Sequence, residues 1–348
     1  MNETVGIIGT GKFGMALCNI LAENGEVLLF ARREAIANEI RQTGTYKGVK
    51  LHHNIQVTEE IKEIPQRCSL IFVVVPAAYF GESIRSMADY LKPWHMIIHG
   101  TKGLEVDPQV VEWGKDWLDL DELYIDQVWT MSELIRQETS VVRIGCLAGP
   151  NLAPEILKGY PAAAVVASPF DEVIQEGSRA LKSVRFRIHG SHDLRGIELA
   201  GILKNVIAIA SGMVEGLGWG HNTRAFLLTH GLAEMITIGN IFGANTRSFL
   251  GLAGIGDLIG TASSIDSRNY RVGKLLAEGS SLDSIQQSME DTAEGLRTIP
   301  LIHALAKSYG VSVPITQNLF KVIFEGKNIQ DSIQLLMELP LSEDVAFI

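Results

Sequence analysis

Val5-Gly6-Ile7-Ile8-Gly9-Thr10-Gly11-Lys12-Phe13-Gly14 is the stretch whose reading decides how the first half of the chain folds. Val5 to Ile8 reads as a short strand, the three glycines at its end carry the spacing GxGxxG, and Met15 to Ala22 then runs at helical period. In that setting the glycines have separate tasks. Gly9 allows the tight turn, Gly11 lets the backbone approach a pyrophosphate, and Gly14 lets the helix pack close to the strand. The helix N-terminus supplies a favourable field for phosphates. A purely structural glycine turn is the plain alternative, but a strand before the motif and a helix after it favour dinucleotide binding.

Working outward, strand and helix signals keep alternating, as a doubly wound sheet requires. Glu26 to Ala31 reads as the second strand and ends in Arg32-Arg33-Glu34. A carboxylate at this point selects the ribose hydroxyls of NAD, whereas arginine suits an added 2'-phosphate, so NADP is expected to be accepted and NAD is left open by Glu34. Surface arginines are also common after strands. Ser69 to Val75 is an apolar run of the kind buried on both faces of a parallel sheet. Met96 to His99 leads directly into Gly100-Thr101-Lys102-Gly103. Ligands in such sheets lie beyond the carboxyl ends of the strands, which puts Lys102 where an anion or a reacting carbonyl would sit, unless it is a solvated loop lysine. Val141 to Leu147 ends in Ala148-Gly149-Pro150-Asn151-Leu152-Ala153, another strand-end turn with backbone donors to offer. Ala162 to Ala167 and Arg185 to His189 are the last expected strands, flanking a helix near Val173 to Lys182. Between Lys102 and Gly149 the pattern is weaker: helices are expected over Val110 to Leu118 and Trp129 to Gln137, with Asp119-Leu120-Asp121-Glu122 as a solvated connection.

After about Ser191 long helical patterns replace the strands. The expected division is therefore residues 1–191 as a Rossmann-type α/β domain and residues 192–348 as an all-α domain. Within the second part, Glu198-Leu199-Ala200-Gly201-Ile202-Leu203-Lys204-Asn205-Val206-Ile207-Ala208-Ile209-Ala210 is apolar on nearly every helical face. A buried ammonium costs several kcal/mol without a partner, so Lys204 needs a carboxylate or a chemical task. Desolvation also brings a lysine towards about pH 7 to 8, where it suits proton transfer. The alternative is a lysine snorkelling to the surface. Gly254-Ile255-Gly256-Asp257-Leu258 holds an isolated carboxylate that calls for a cation, and Lys204 is the candidate. Ser267-Arg268-Asn269 gathers a hydroxyl, a guanidinium and an amide suited to a phosphate, or equally a helix cap with a surface arginine. Asp291-Thr292-Ala293-Glu294-Gly295 offers carboxylates to a cofactor, or is a solvated helix end.

Composition narrows the class. The chain has 348 residues, 46% of them hydrophobic and 20% charged, enough for two packed cores and unlike a disordered protein. A formal net charge of -10 argues against nonspecific nucleic-acid binding. Neither a secretory signal nor an apolar run of about 20 residues is visible, so no membrane span is expected. Cys18, Cys68 and Cys146 have no paired spacing, which fits a reducing cytoplasm and argues against a zinc site. His221 and His230 read as packing or cap residues, and no metal is expected. Leu339 to Ile348 reads as a loosely held tail.

Taken in order, Gly9-Thr10-Gly11-Lys12-Phe13-Gly14, Thr101-Lys102-Gly103, Gly149-Pro150-Asn151, Leu203-Lys204-Asn205-Val206-Ile207-Ala208, Gly254-Ile255-Gly256-Asp257-Leu258, Ser267-Arg268-Asn269 and Glu294-Gly295 make the chain resemble the NAD(P)-dependent glycerol-3-phosphate dehydrogenases over nearly its whole length. The resemblance implies interconversion of sn-glycerol 3-phosphate and dihydroxyacetone phosphate with NAD or NADP, supplying glycerol phosphate for phospholipid synthesis. It implies Lys204 as proton acceptor, with Asn205, Asp257 and Thr261 around it and Lys102 touching substrate and cofactor. Gly149, Asn151, Ser267, Arg268 and Asn269 would line the substrate. Lys12, Phe13, Arg32, Ala153, Arg268, Thr292 and Glu294 would complete a cofactor site begun by Gly9, Gly11 and Gly14. A homodimer is also implied. Two departures stand out: the segment between Lys102 and Gly149 is longer than in the common bacterial pattern, and Tyr46 to Leu51 lacks the usual leucine-proline element. The rival readings are a related reductase of a 3-hydroxy acid or ketopantoate-like compound, which needs a carboxylate site, and a catalytically silent nucleotide sensor, against which Lys102, Lys204, Asp257 and Arg268 all speak.

Overall fold

The computed structural model describes residues 4–108, 110, 120, 122–289 and 293–337. Eight strands form one sheet: Val5–Ile8 (β1), Val27–Phe30 (β2), Ile55–Thr58 (β3), Leu70–Val73 (β4), Met96–His99 (β5), Arg143–Ala148 (β6), Ala162–Ala167 (β7) and Phe186–Ser191 (β8). Their order across the sheet is β8-β7-β6-β5-β4-β1-β2-β3. The run β3-β2-β1-β4-β5-β6 is parallel throughout and is the doubly wound dinucleotide-binding order, with its reversal between β1 and β4. The register sets Ile7 beside Leu29 and Phe72, and all three are buried. β7 then turns antiparallel to β6, and β8 runs parallel to β7.

Most expected elements form with shifted ends, as helix and strand ends commonly do. The helix near Val173 to Lys182 occupies Asp171–Ala180, and the last strand extends to Ser191. A larger difference falls at Trp129. Val128–Thr130 is a strand paired with Leu104–Val106, and the helix begins only at Met131. The reason is local: Val128-Trp129-Thr130 favours extended backbone, and Thr130 closes a capping box with Glu133, whose carboxylate accepts from Thr130 N at 2.8 Å. The departure at Tyr46 to Leu51 is a hairpin, Thr45–Tyr46 against Val49–Lys50, turned by Lys47 at φ 49° and Gly48 at φ 76°. The helix expected over 110–118 beyond Val110, residues 119 and 121 of the acidic connection, and the tail from Leu339 lie outside the described residues.

By internal contacts the chain separates into Met1–Lys102 with Thr130–Glu198, and Gly103–Trp129 with Leu199–Ile348. The first unit packs Met15, Leu17, Leu21, Leu29, Phe72 and Ile98 around the sheet. The second is helical, apart from the short strand pair noted above, and its core centres on Leu199 to Val214 together with Leu232, Met235, Phe249 and Ile299. Within it, the helices Leu194–Gly216 and Arg268–Ala277 meet backbone to backbone. A side chain at Gly212 would strike the Tyr270 carbonyl, one at Gly216 would stand 2.6 Å from the Lys274 carbonyl, and one at Gly273 would strike the Ile209 carbonyl. Glu234, buried on His221–Ile241, accepts from the amides of Ile315 and Thr316 and from the Thr316 hydroxyl, and so caps the helix Pro314–Glu325.

Leu194–Gly216 bears on the expectation of no membrane span. With a mean hydropathy of 1.6 over its window it is long and apolar enough to cross a bilayer, yet that window is wholly buried inside the protein. It carries Arg195, Glu198 and Lys204, and it serves as a core helix.

Candidate functional site

At the end of β1 the three glycines differ in their surroundings. Gly9 has φ 138°, and a Cβ there would stand 2.5 Å from the Val74 carbonyl. A Cβ at Gly14 would be driven into the Gly9 carbonyl, so only glycine lets the helix Lys12–Ala22 come this close to the strand. Gly11 differs from both: it is exposed, it caps the helix without any side-chain hydrogen bond, and no atom lies within 4 Å of where its Cβ would be. That leaves the N–H groups at the start of the helix open on the Gly11 side, and such groups favour an anion. Lys12 is exposed at the first helical position, and the ring of Phe13 closes over Gly100, where a Cβ would stand 3.2 Å from Cε1. Arg32 is exposed at the end of β2, 3.5 Å from Glu82 and over the ring of Tyr79. Between two exposed side chains such a pair is weak, so the guanidinium is available to exchange partners with a phosphate.

The neighbouring strand ends carry the remaining expected groups of this unit. Thr101 is buried and donates to the Val75 carbonyl at 2.7 Å, pinning the turn before half-buried Lys102. Gly149 has φ 142°, and a Cβ there would stand 3.0 Å from the Ala163 carbonyl. Oriented by its carbonyl neighbours, Asn151 donates to Ala163 O at 3.3 Å and Pro150 O at 3.2 Å, which leaves its own carbonyl as the acceptor. Ala153 starts the short helix Ala153–Leu157.

In the second unit Lys204 is buried beside two groups from one turn of another helix. Its Nζ donates to Asp257 Oδ1 at 2.6 Å and to the Thr261 hydroxyl, which itself donates to Asp257 Oδ1 at 3.0 Å. The side chains of Lys204 and Asp257 are only 6% and 3% exposed, so this is an ion pair in a dry setting. Asp257 and Thr261 face the amine together because they stand four residues apart on Asp257–Ala262. Immediately before Asp257 the chain makes a π-helical turn, Leu252–Gly256, in which a Cβ at Gly254 would be driven into the Phe249 carbonyl. Such turns re-aim the residues that follow. Asn205 is buried next to Lys204.

Ser267 takes the plainer of its two sequence readings, the helix cap. It caps Arg268–Ala277 by accepting from Tyr270 N at 3.3 Å, and it keeps its hydroxyl hydrogen for another acceptor. Arg268 is half-buried at the first position of that helix, where its charge and the helix N-terminus favour the same anion. Buried Asn269 accepts from Gly295 N at 2.9 Å through Oδ1. Glu294 is half-buried at the start of Glu294–Tyr309, and Thr292 lies outside the described residues.

One buried cluster escaped the sequence reading. Glu198 accepts from Ser132 N at 2.9 Å, Ser132 Oγ at 2.6 Å and Thr130 Oγ1 at 3.0 Å, and His99 Nε2 stands 2.9 Å from its carboxylate, off hydrogen-bond alignment. Burial alone would raise this carboxyl, but His99 and the Ser132 donors outweigh it and hold it below the ordinary range. The only signal was a glutamate inside an apolar run. The three thiols are buried and pushed upward by desolvation, Cys68 to about 12, which removes them as nucleophiles. Among the described residues no group of His, Cys, Asp and Glu is arranged to hold a metal ion.

Known proteins match the chain along nearly its whole length. The model of the NAD-dependent glycerol-3-phosphate dehydrogenase N-terminus matches residues 4–174, and that of the C-terminus matches residues 193–334. A glycerol-3-phosphate dehydrogenase (NAD(P)+) of Ectopseudomonas mendocina (strain ymp) is 39% identical, over 99% of this chain and 97% of the relative. One from Macrococcus caseolyticus (strain JCSC5402) is 35% identical, over 96% and 97%. The crystal structure of glycerol-3-phosphate dehydrogenase from Coxiella burnetii superposes with a TM-score of 0.84 at 30% identity, covering 97% of this chain and 99% of that one. The chain belongs to the NAD-dependent glycerol-3-phosphate dehydrogenase family.

Proposed function

We propose that the chain interconverts sn-glycerol 3-phosphate and dihydroxyacetone phosphate with NAD or NADP, using the amine of Lys204 as acid and base. The observation that carries the reading is the buried triad of Lys204, Asp257 and Thr261. Outside an active site, a dry ammonium held by one carboxylate is a poor use of a core position. When bound, the nicotinamide accepts or gives the hydride. In the oxidative direction the secondary hydroxyl of the substrate loses its proton to neutral Lys204 as its carbon is oxidised. In the reductive direction the ammonium polarises the ketone and returns the proton to the new alkoxide. Asp257 and Thr261 aim the amine. Arg268 and Ser267, at a helix N-terminus, supply the cation and the hydroxyl for the substrate phosphate, with Lys102 as a second cation.

The open turn at Gly11 supports a dinucleotide there, and the reading gives it Gly9, Lys12, Phe13, Gly14, Arg32, Lys102, Ala153, Arg268, Thr292 and Glu294 as further contacts. Arg32 supports use of NADP alongside NAD. The same reading places residues 1–191 as the cofactor-binding part and residues 192–348 as the substrate-binding part. It also makes the enzyme a cytoplasmic homodimer that supplies glycerol phosphate for phospholipid synthesis. Following the near-ultraviolet absorbance of NADH and NADPH with dihydroxyacetone phosphate tests it directly. Turnover with this ketone and none with ketopantoate is expected, and the reverse preference would replace the phosphate site with a carboxylate site.

A further inference from the structure

Gly295 is enclosed on three sides by groups that matter to the site. A Cβ there would stand 2.8 Å from the backbone carbonyl of Asn205, 2.8 Å from Ile209 Cδ1 and 2.9 Å from Asn269 Oδ1. Asn205 and Ile209 lie on the helix that carries Lys204, Asn269 closes the segment Ser267-Arg268-Asn269, and Gly295 directly follows Glu294. Its amide, an orphan donor at the start of Glu294–Tyr309, is satisfied by Asn269 Oδ1 at 2.9 Å. That bond fixes the side-chain amide. With Oδ1 occupied by an N–H, the end of Asn269 left to serve a substrate phosphate or hydroxyl oxygen is the donor Nδ2.

From this junction we infer that Asn269 is a positioning residue for the cofactor as well as a substrate contact, and that Gly295 is the site through which it acts. The carbonyl of Asn269 holds the start of the helix that presents Glu294, while its NH2 group meets the substrate. One planar amide therefore ties the two ligands together. A shift of the amide towards a bound phosphate draws on the same Gly295 contact that sets Glu294, so each ligand reports on the other. Glycine is required because any side chain would part the helix start from Asn205 and Asn269 together.

The inference rests on the proposed function for the identity of the ligands, and its test does not use turnover. Binding of NADH and NADPH is read from the fluorescence of the reduced nicotinamide, first with no substrate and then with sn-glycerol 3-phosphate. Asn269→Ala removes the acceptor for Gly295 N and is expected to weaken cofactor binding about five-fold or more with no substrate present, the lower end of typical coupling. Asn269→Asp keeps an acceptor at that place, so it is expected to recover part of the cofactor affinity that Asn269→Ala loses, while losing any effect of glycerol phosphate upon it. Gly295→Ala is expected to weaken cofactor binding as Asn269→Ala does. Wild-type cofactor affinity in Asn269→Ala would overturn the inference, as would equal losses in Asn269→Ala and Asn269→Asp. Should the wild-type protein bind cofactor but fail to turn over dihydroxyacetone phosphate, the functional reading fails while this comparison still stands.

Discussion

Lys204 Nζ lies 2.6 Å from Asp257 Oδ1, with both side chains almost fully withdrawn from solvent. Fifty-three positions separate the two residues in the chain, and Thr261 bonds to both. An ammonium in such a place depends on its carboxylate partner to offset the loss of water.

Asp257→Asn should accordingly damage both stability and chemistry. Removing one member of a buried pair leaves the other uncompensated and typically costs about 3 to 5 kcal/mol. Denaturant unfolding at neutral pH should show a loss on the order of 3 kcal/mol. Reduction of the ketone, which needs the protonated amine, should slow by roughly 100-fold or more. Unchanged unfolding would mean that the pair carries no weight in the fold.

Two glycines of the first turn should fail in different ways. Gly14→Ala forces a methyl into the Gly9 carbonyl and should destabilise the first unit, visible as a lower midpoint of thermal unfolding even without cofactor. Gly11→Ala meets nothing within 4 Å, so its unfolding should match wild type, while cofactor affinity should fall by about ten-fold or more as the methyl intrudes on the open turn. Direct binding of the reduced nicotinamide separates these outcomes. Equal affinity in Gly11→Ala and wild type would place the pyrophosphate elsewhere.

The glycine turn shows how much could be read in advance. Strand, spacing and helix were contiguous there, and so were the apolar runs of β4, β5 and β7; each is a local pattern, and each became the element expected. Asp257 could be matched to Lys204 because an isolated carboxylate and an isolated amine in apolar surroundings require one another. What stayed hidden depends on distant partners. The pairing of Val128–Thr130 with Leu104–Val106 leaves no periodicity over so few residues. The donors that gather on Glu198 come from Thr130 and Ser132, more than sixty positions away. Likewise the bond from Gly295 to Asn269 turns a residue read as a substrate contact into a structural one as well.

Glu234 gives the protein a pH dependence of its own. Burial pushes its carboxyl up to about 7 from an ordinary 4.5, against the pull of the Ile315 and Thr316 donors. A carboxyl raised by folding favours the folded state fully below its unfolded value, and that contribution is lost as pH rises towards its folded value. Stability should therefore decline between about pH 4.5 and 7 by an amount absent from Glu234→Gln. Unfolding of the two proteins across that range checks it: the wild-type advantage should shrink as pH rises, and parallel curves would mean that Glu234 keeps an ordinary pKa.

The central claim is that one buried amine moves the proton, and it is tested most directly by Lys204→Ala. Initial rates with dihydroxyacetone phosphate and NADH or NADPH should fall on the order of 100 to 10,000-fold, the usual cost of removing a positioned acid or base. Binding of the reduced nicotinamide, measured on the same preparation, should persist and show that the protein is folded. Near-normal turnover in that variant would contradict the account.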